Sequence, residues 1–338
     1  MMRSPVRFGI VGCSSMGRTH AEAIGRVEGA ELVACADHTA PAAESFGEAH
    51  DCDAYVGHAD LFERADIDAV SVCTPNGTHA DIVVDAGEAG LDVLCEKPLE
   101  ITPARVNRMT EAGRHAGVTL ACILQRRTLS TMRAAREVVR GGELGRLVLA
   151  DVQVKWHREP SYYEGWHGTS ALDGGVLFTQ ALHGVDLLQW IVGDVERVSG
   201  SLDTLHHDAE VPDTAAATVE FESGARGLLS ATTATRPQFP LTLSLHGTEG
   251  SLRVTEDGVE LFETGDGPSK LTLPDPPAGG GHAAQVRDFV AAVTDGGSPM
   301  VPPTEARKAL NVVFAAEASD ERGEWVSVTE FDGASRDD

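Results

Sequence analysis

Lysine is scarce in this 338-residue sequence, which contains only Lys97, Lys155, Lys270 and Lys308. Acidic residues number 52 against 27 basic ones, and the formal net charge is −25. Such a charge repels a phosphate backbone and argues against nucleic acid as a partner. Few lysines and an acidic excess suit a protein from a cytoplasm of high salt, where repulsion between like charges is screened. GC-rich coding bias with an ordinary acidic surface is the alternative.

Long apolar runs are absent too. No run approaches the roughly 18 residues that span a bilayer, so no membrane association is expected. The N-terminus enters a strand pattern at once, without the charged, apolar and cleavage regions of a signal peptide, and we expect a cytoplasmic protein. Apolar residues make up 42% of the chain, which is ordinary for a globular protein, and the length predicts two domains.

The cysteines lack the Cys-x-x-Cys spacing of a zinc site or redox motif. All six lie in the first 122 residues, and most end or flank apolar strand-like runs. That is typical of small buried thiols rather than of a disulfide framework, and no metal site is expected. The positions are Cys13, Cys35, Cys52, Cys73, Cys95 and Cys122.

The first third of the chain alternates between strand and helix patterns. Repeated strand–helix units predict a parallel sheet with helices on both faces, and near-continuous apolar strands fit that burial. The predicted strands are 6–12, 31–37, 67–74, 91–98 and 118–123, and the predicted helices are 16–29, 41–50, 79–90 and 102–117.

From about residue 146 the pattern changes. Long alternating strands joined by short glycine-containing turns predict a second, mostly antiparallel sheet. A helix is predicted over 176–193, and two more close the chain near 282–295 and 304–319.

Residues 9–17, Gly-Ile-Val-Gly-Cys-Ser-Ser-Met-Gly, form a degenerate Gly-x-Gly-x-x-Gly fingerprint. A strand that leads through a tight glycine turn into the N-terminus of a helix favours the binding of a pyrophosphate. Ser14 replaces the middle glycine, but it is small enough to be tolerated, and its hydroxyl could donate to phosphate. A plain structural turn is the alternative. The predicted cofactor contacts here are Gly12, Ser14, Ser15, Met16 and Gly17.

Asp37 ends the second strand, 20 residues after Gly17. A carboxylate at this distance accepts hydrogen bonds from the ribose hydroxyls and repels a 2′-phosphate, which favours NAD over NADP. No arginine follows within the next few residues, which supports the same choice. The alternative role is an N-cap for the next helix, and the two roles are compatible.

Further motifs carry a resemblance to a known family. They include Thr-Pro-Asn with His79, Glu-Lys-Pro at 96–98, Gly-Glu-Leu-Gly at 142–145, the segment 173–193 and the closing segment 304–319. Together they resemble the Gfo/Idh/MocA family of nicotinamide-dependent sugar and inositol oxidoreductases. The resemblance implies a Rossmann domain, assigned to 1–122, and an α/β substrate-binding and oligomerisation domain with a large, mostly antiparallel open sheet, assigned to 123–338.

The resemblance also implies an active site between the domains and an oligomer, a homodimer or homotetramer, formed through the second sheet. Lys97 matches the family's catalytic lysine, which holds the substrate hydroxyl and stabilises developing negative charge. Glu96 would orient or balance Lys97, and the Lys97–Pro98 peptide would be cis. A solvated surface lysine is the alternative. The implied cofactor contacts are Thr74, Pro75, Asn76, His79, Glu96, Lys97 and Gln125.

His183 matches the family's acid/base histidine, since imidazole titrates near working pH. Without the motif, a histidine on an apolar helix is more often a core residue. Asp186 lies on the same helical face, where it would either orient His183 or be a structural carboxylate. Inositol dehydrogenase-like members carry an aspartate where this chain has Thr179, which puts a Lys-Asp-His set in doubt. Gln180 could contact substrate hydroxyls.

Aromatic residues make up only 5% of the chain, yet two of the three tyrosines lie within 159–175. Aromatic faces stack on sugar rings. Trp166 and His167 resemble a Trp-Arg-Gly-Thr element of some relatives, and the loss of its arginine argues against a strongly anionic substrate. Packing or surface roles remain open for each. The substrate candidates are Gln125, Arg126, Trp156, Tyr163, Trp166, His167, Thr179, Gln180 and Asp186, with Arg127 and His157 as further possibilities.

These features predict an NAD-dependent dehydrogenase that oxidises a secondary hydroxyl of a sugar, sugar derivative or inositol. Two alternatives keep the same fold. One is a non-enzymatic regulator that senses a sugar, against which the presence of Lys97 and His183 argues. The other is a glycosidase that reduces and reoxidises bound NAD within each turnover.

Overall fold

The computed structural model of the protein describes residues 4–333, which form two compact units. The first comprises residues 4–125 and 277–306, and the second comprises residues 126–276 and 307–333. The first division lies three residues from the predicted boundary after residue 122. Residues 277–306, however, belong to the first unit, whereas the sequence pattern assigned them to the second domain.

A fully parallel sheet forms the centre of the first unit. Its strand order, β3-β2-β1-β4-β5-β6, is that of a Rossmann fold. The strands are β1 Val6–Val11, β2 Ala30–Asp37, β3 Asp53–Val56, β4 Ala69–Val72, β5 Asp92–Cys95 and β6 Leu120–Cys122. The edge strand β3 was not singled out in the sequence, because it is short and largely exposed and lacks an apolar run.

Most α-helices fall on predicted segments, but the short helix Ala59–Phe62 and the helix Ser130–Arg140 were not predicted. The α-helices are α1 Ser15–Gly25, α2 Ala40–His50, α3 Ala59–Phe62, α4 His79–Glu88, α5 Pro103–Ala116, α6 Ser130–Arg140, α7 Leu182–Val192, α8 Gly280–Asp295 and α9 Pro303–Arg322. Local chemistry fixes several ends: α5 begins with a proline after Thr102, whose side chain accepts from the N–H of Arg105, and it ends at Gly117 in the left-handed conformation.

Helix α8 explains why residues 277–306 join the first unit. Phe289 is fully buried, and its ring centroid lies 5.9 Å from that of Phe8 in β1. The Gln285 amide donates to the Cys122 carbonyl at 3.1 Å, which ties the helix to the end of β6. The apolar periodicity of α8 predicts a buried face, but it does not tell which sheet that face covers.

The second unit contains a nine-stranded sheet in the order β14-β13-β12-β11-β7-β10-β9-β8-β15. Only β7 and β10 pair in parallel, so the mostly antiparallel prediction is confirmed. The strands are β7 Leu147–Lys155, β8 Val195–Asp203, β9 Thr214–Phe221, β10 Arg226–Thr232, β11 Thr242–Gly247, β12 Gly250–Thr255, β13 Val259–Thr264, β14 Gly267–Pro268 and β15 Val326–Ser327.

Helices α6 and α7 pack on this sheet. Within residues 4–333, no helix combines the length and apolar character needed to cross a bilayer. All six cysteines are free thiols, and all but Cys52 are buried.

Candidate active site

Two positions of the glycine turn after β1 require glycine. Gly12 has φ +102°, and a Cβ there would lie 2.6 Å from the carbonyl oxygen of Cys73. At Gly17, a Cβ would collide with the carbonyl oxygen of Gly12. The chain therefore turns tightly after β1 and packs α1 close against it, as a dinucleotide fingerprint demands.

Ser14 has a different environment from these two glycines. It is the N-cap residue of α1, with φ −80° in the extended region, which any residue adopts without strain. Its side chain is exposed and makes no capping hydrogen bond. The backbone of the turn thus accommodates serine, and the hydroxyl lies at a helix N-terminus that favours anions.

Replacing Ser14 by glycine is expected to change the dissociation constant for NAD by no more than about tenfold, or roughly 1.4 kcal/mol. The turn already has its shape without a glycine here, so the substitution removes only a hydroxyl. Calorimetric titration with NAD measures the effect. Gly12→Ala is the contrasting variant and should lose most binding. A loss well above tenfold for Ser14→Gly would instead make the hydroxyl a required phosphate ligand.

Asp37 connects the end of β2 to the glycine turn. Its Oδ2 accepts from the N–H of Cys13 at 3.0 Å, and its Oδ1 accepts from the N–H of Thr39 at 3.0 Å. Thr39, not Asp37, is the N-cap residue of α2, so the N-cap alternative for Asp37 is wrong. The carboxylate lies beside the turn, where a ribose-binding residue is expected.

His79 holds two loops of the first unit together. Its Nδ1 lies 2.8 Å from the Pro98 carbonyl oxygen, and its Nε2 lies 2.9 Å from the Thr74 carbonyl oxygen. Because the ring is fully buried, His79 shapes the edge of the candidate cofactor site rather than facing a ligand. In the same segment, the Thr78 hydroxyl lies 2.7 Å from the Pro75 carbonyl oxygen, and Asn76 is buried.

Glu96 fixes the backbone of Lys97 at the carboxyl end of β5. Its Oε2 accepts the N–H of Lys97 at 3.0 Å, and its Oε1 lies 3.0 Å from the Nε2 of His20. Burial alone would raise the pKa of the Glu96 carboxyl, but its contacts with His20 and His282 outweigh burial and hold this pKa well below its usual value. The Lys97–Pro98 peptide is cis, as the resemblance implied.

The second unit presents His183 on α7, directly after a π-helical turn over Leu177–Ala181. Such turns occur frequently at functional sites. Thr179, Gln180 and His183 are all buried. The Thr179 hydroxyl donates to the Gly175 carbonyl at 2.9 Å, so this side chain is engaged with the backbone.

Asp186 forms a buried ion pair with Arg127. Its Oδ1 lies 2.5 Å from the Arg127 Nη2, its Oδ2 lies 2.9 Å from the Arg127 Nε, and the two side chains are 3% and 4% exposed. The Arg127 guanidinium also lies 5.5 Å from the ring centroid of Trp190. Of the two roles left open for Asp186, this geometry supports the structural carboxylate.

A group of stacked rings follows from the aromatic-rich segment. The rings of Tyr162 and His167 stack at 3.9 Å between centroids, and Trp166 lies 3.6 Å from His167. The Gln180 amide donates to the Tyr162 hydroxyl at 2.9 Å, and the Arg158 guanidinium lies 5.3 Å from the Tyr162 ring centroid. The structure therefore brings together three predicted residues, Trp166, His167 and Gln180.

Tyr162 was not among the residues predicted from the sequence, whereas its neighbour Tyr163 was. The Tyr163 hydroxyl lies 2.7 Å from the Thr233 hydroxyl, and its ring packs on His207 instead. The only signal in the sequence was the Tyr-Tyr pair itself, which does not tell which ring joins the stack.

Arg126 and Trp156 pack against each other elsewhere in the second unit. The Arg126 guanidinium lies 5.2 Å from the Trp156 ring centroid and forms an ion pair with Glu256. Burial lowers the pKa of Arg126 from its usual value. Trp156 is itself buried, so this pair has a packing role whether or not it also contacts substrate. Gln125 belongs to the first unit and begins a 3₁₀ turn over Gln125–Thr128.

Two family models match the chain. Residues 6–123 match an oxidoreductase family with an NAD-binding Rossmann fold, and residues 132–253 match the GFO/IDH/MocA C-terminal domain. The chain belongs to the Gfo/Idh/MocA family. The chain is 30% identical to 1,5-anhydro-D-fructose reductase of Ensifer adhaerens over 253 residues, which cover 73% of this chain and 74% of that protein.

A second relative matches almost the full length of the chain. The chain is 27% identical over 326 residues to inositol 2-dehydrogenase of Rhizobium meliloti, covering 93% of this chain and 96% of the relative. Among solved structures, it is similar to the WlbA dehydrogenase from Bordetella pertussis in complex with NADH and UDP-GlcNAcA. That match has a TM-score of 0.88 at 28% identity and covers 96% and 98% of the two chains.

These matches confirm the predicted family, fold class, enzyme class and cofactor. The chain is an oxidoreductase whose first unit has the NAD-binding Rossmann fold. The glycine turn agrees with that cofactor, because a Cβ at Gly12 or Gly17 would collide with neighbouring backbone and prevent the tight turn that the fingerprint requires.

Proposed function

We propose that this enzyme oxidises a secondary hydroxyl of a sugar, sugar derivative or inositol, with NAD as the oxidant. The observation that carries the proposal is Lys97, whose backbone N–H is held by the buried Glu96 carboxylate at the carboxyl end of β5. Ligands of open α/β sheets bind at that edge. The names of the relatives, a dehydrogenase of inositol and a reductase of anhydrofructose, support a polyhydroxylated substrate.

Bound NAD supplies the hydride acceptor, and residues 12–17 with Asp37 would hold it. The Lys97 ammonium donates a hydrogen bond to the substrate hydroxyl oxygen and stabilises the negative charge that develops there. The imidazole of His183 accepts the hydroxyl proton. The C–H electron pair leaves as hydride, the O–H electrons form the C=O bond, and the products are a ketone and NADH.

Lys97 belongs to the first unit and His183 to the second. Thr179 cannot take a proton as a carboxylate does, so His183 is the only proton acceptor invoked. Its burial on α7 suits a base that must be shielded from bulk water.

The stack of Tyr162, His167 and Trp166 supports a sugar-binding role in the second unit, because aromatic faces and sugar rings are complementary apolar surfaces. The Gln180 amide next to Tyr162 supplies hydrogen-bonding groups for hydroxyls. We propose an uncharged sugar or cyclitol in preference to a strongly anionic one, since the resemblance places His167 where some relatives carry arginine.

We further propose a homodimer or homotetramer that forms through the nine-stranded sheet. Side chains of β10 alternate between buried and exposed, and Leu228 on its open face is 47% exposed. A second copy packed on this face would remove that apolar surface from water.

A screen for NAD reduction over neutral sugars, sugar acids, inositols and glycosides tests the function. We expect NADH from at least one neutral polyol or sugar, with sugar acids less active. Screening at low and molar salt tests the halophilic interpretation, which requires loss of activity at low salt. Tight NAD binding with no NADH from any compound would favour a sensor. Glycoside cleavage without net NADH would favour a glycosidase.

Replacing Asp37 by asparagine is expected to raise the ratio of NADP to NAD affinity at least about tenfold. The amide keeps the shape, and its single oxygen accepts from Cys13 while the hydrogen bond from Thr39 is lost. It no longer repels a 2′-phosphate. Titration with both cofactors gives the ratio. Asp92→Asn is the matched control, because Asp92 lies at the amino end of β5, away from the carboxyl ends of the strands, and accepts from the N–H of Thr119. An unchanged ratio in Asp37→Asn would contradict the ribose-binding role.

A further inference from the structure

Two histidines and a glutamate converge inside the first unit. His20 lies on α1, Glu96 follows β5, and His282 lies on α8. One nitrogen of each ring and one carboxylate oxygen all lie within 4.8 Å of one another. His20 and Glu96 are buried, and the His282 side chain is 19% exposed. Two imidazoles and one carboxylate are a common ligand set for Zn²⁺ and neighbouring transition metals.

The distances fit coordination by one ion. The Glu96 Oε1 lies 3.0 Å from the His20 Nε2 and 3.5 Å from the His282 Nε2. Two ligand atoms at about 2.1 Å from a tetrahedral Zn²⁺ are roughly 3.4 Å apart. The distance between the two histidine nitrogens is at most 4.8 Å, so closing it requires a shift of no more than about 1.4 Å.

The groups around the cluster orient two of these ligands. The His20 Nδ1 lies 2.5 Å from the Ser71 hydroxyl, which leaves Nε2 facing Glu96. The second oxygen of Glu96 accepts the N–H of Lys97. Metal-binding histidines and carboxylates are regularly fixed in this way by hydrogen bonds at their other atoms.

His282 supplies an independent observation. Its Nε2 is buried and makes no hydrogen bond, although it faces the Glu96 carboxylate at 3.5 Å. At 3.5 Å the contact is too long for a good hydrogen bond, so this buried nitrogen is poorly satisfied. An ion between the two groups would satisfy both, and the partial exposure of the ring offers access from solvent.

We propose that His20, Glu96 and His282 bind one divalent transition-metal ion of the Zn²⁺ class. The site is separate from the fingerprint turn, and the proposal does not depend on the proposed dehydrogenase function. Cysteine spacing gives no sign of this site, because its ligands are histidines and a glutamate from three distant segments. Binding would connect α8 to α1 and to the end of β5 within the first unit.

Titration of the full-length, chelator-treated protein with Zn²⁺ alone tests the proposal, with a competing chelator to report affinity. We expect one tight equivalent per chain and a rise in Tm of about 5 °C at saturating metal. His282→Phe keeps an aromatic ring and the His20–Glu96 pair, and it should weaken binding at least 100-fold. His282→Gln provides a second variant in case the first fails to fold.

His58→Phe is the matched control, because His58 faces the Asp85 carboxylate at 2.8 Å outside the cluster. It should bind Zn²⁺ as the wild type does. Substitution with Co²⁺ should show no thiolate-to-metal charge-transfer absorption, since no cysteine is a proposed ligand. Equal affinity in wild type and both His282 variants, thiolate absorption, or no tight equivalent in the wild type would each overturn the proposal.

Discussion

Replacing Lys97 by alanine is expected to lower kcat about 10³-fold, equivalent to roughly 4 kcal/mol of transition-state stabilisation, while NAD affinity changes little. The ammonium acts on the substrate oxygen as charge develops, so its loss affects the chemical step. The glycine turn and Asp37, which would hold the cofactor, do not depend on this side chain. Steady-state kinetics with an active substrate and a separate NAD titration measure the two effects.

Lys308→Ala is the matched control for that experiment. Lys308 pairs with Asp194 at 3.0 Å on the surface of the second unit, and its loss should leave kcat unchanged. Near wild-type turnover in Lys97→Ala would remove the lysine from the mechanism. A parallel loss of NAD binding would show that the variant damages the cofactor site instead.

Replacing Asp186 by alanine is expected to destabilise the protein by about 3–5 kcal/mol. The change leaves the Arg127 guanidinium buried without the carboxylate that contacts it at 2.5 and 2.9 Å. An uncompensated buried charge is far more costly than the intact pair is stabilising. Urea unfolding followed by circular dichroism measures the shift in midpoint.

The double variant Arg127→Met, Asp186→Leu separates stability from catalysis. It removes both charges, so it should recover most of the lost stability. If Asp186 instead orients His183, Asp186→Ala will keep a native unfolding midpoint and lose kcat. That result would contradict the structural role.

The Rossmann sheet could be predicted from the sequence because its elements are locally encoded. Buried parallel strands such as Ala69–Val72 are near-continuous apolar runs, and glycines or prolines mark the ends of neighbouring helices. The roles of Gly12 and Gly17 could likewise be predicted, since their spacing around a strand–helix junction reflects a steric requirement. Strand Asp53–Val56 carries no comparable signal, because an exposed edge strand has no apolar pattern to display.

Contacts between distant segments could not be predicted in the same way. Helix Gly280–Asp295 has an amphipathic pattern, but only the packing of Phe289 on Phe8 shows which core it completes. The partner of Asp186 is 59 residues away, and nothing in the helix motif indicates it. Tyr162 and Tyr163 have the same local sequence, and their different contacts depend on residues 180 and 233.

The Lys97 and His183 assignments rest on motif matches that the fold makes chemically reasonable. The structure adds the Glu96 carboxylate that fixes the Lys97 backbone and the π-helical turn that precedes His183. Both features arise from tertiary context, since a buried carboxylate needs partners such as His20 to remain charged.

Transfer of deuterium tests the central claim most directly. The measurement uses an alcohol that reduces NAD in the screen, labelled with deuterium at the carbinol carbon. Direct hydride transfer predicts one deuterium in the nicotinamide ring of each NADH and an equal amount of ketone. Product that retains the deuterium with no labelled NADH, or a complete lack of NAD reduction by any sugar or cyclitol, would contradict the proposed dehydrogenase.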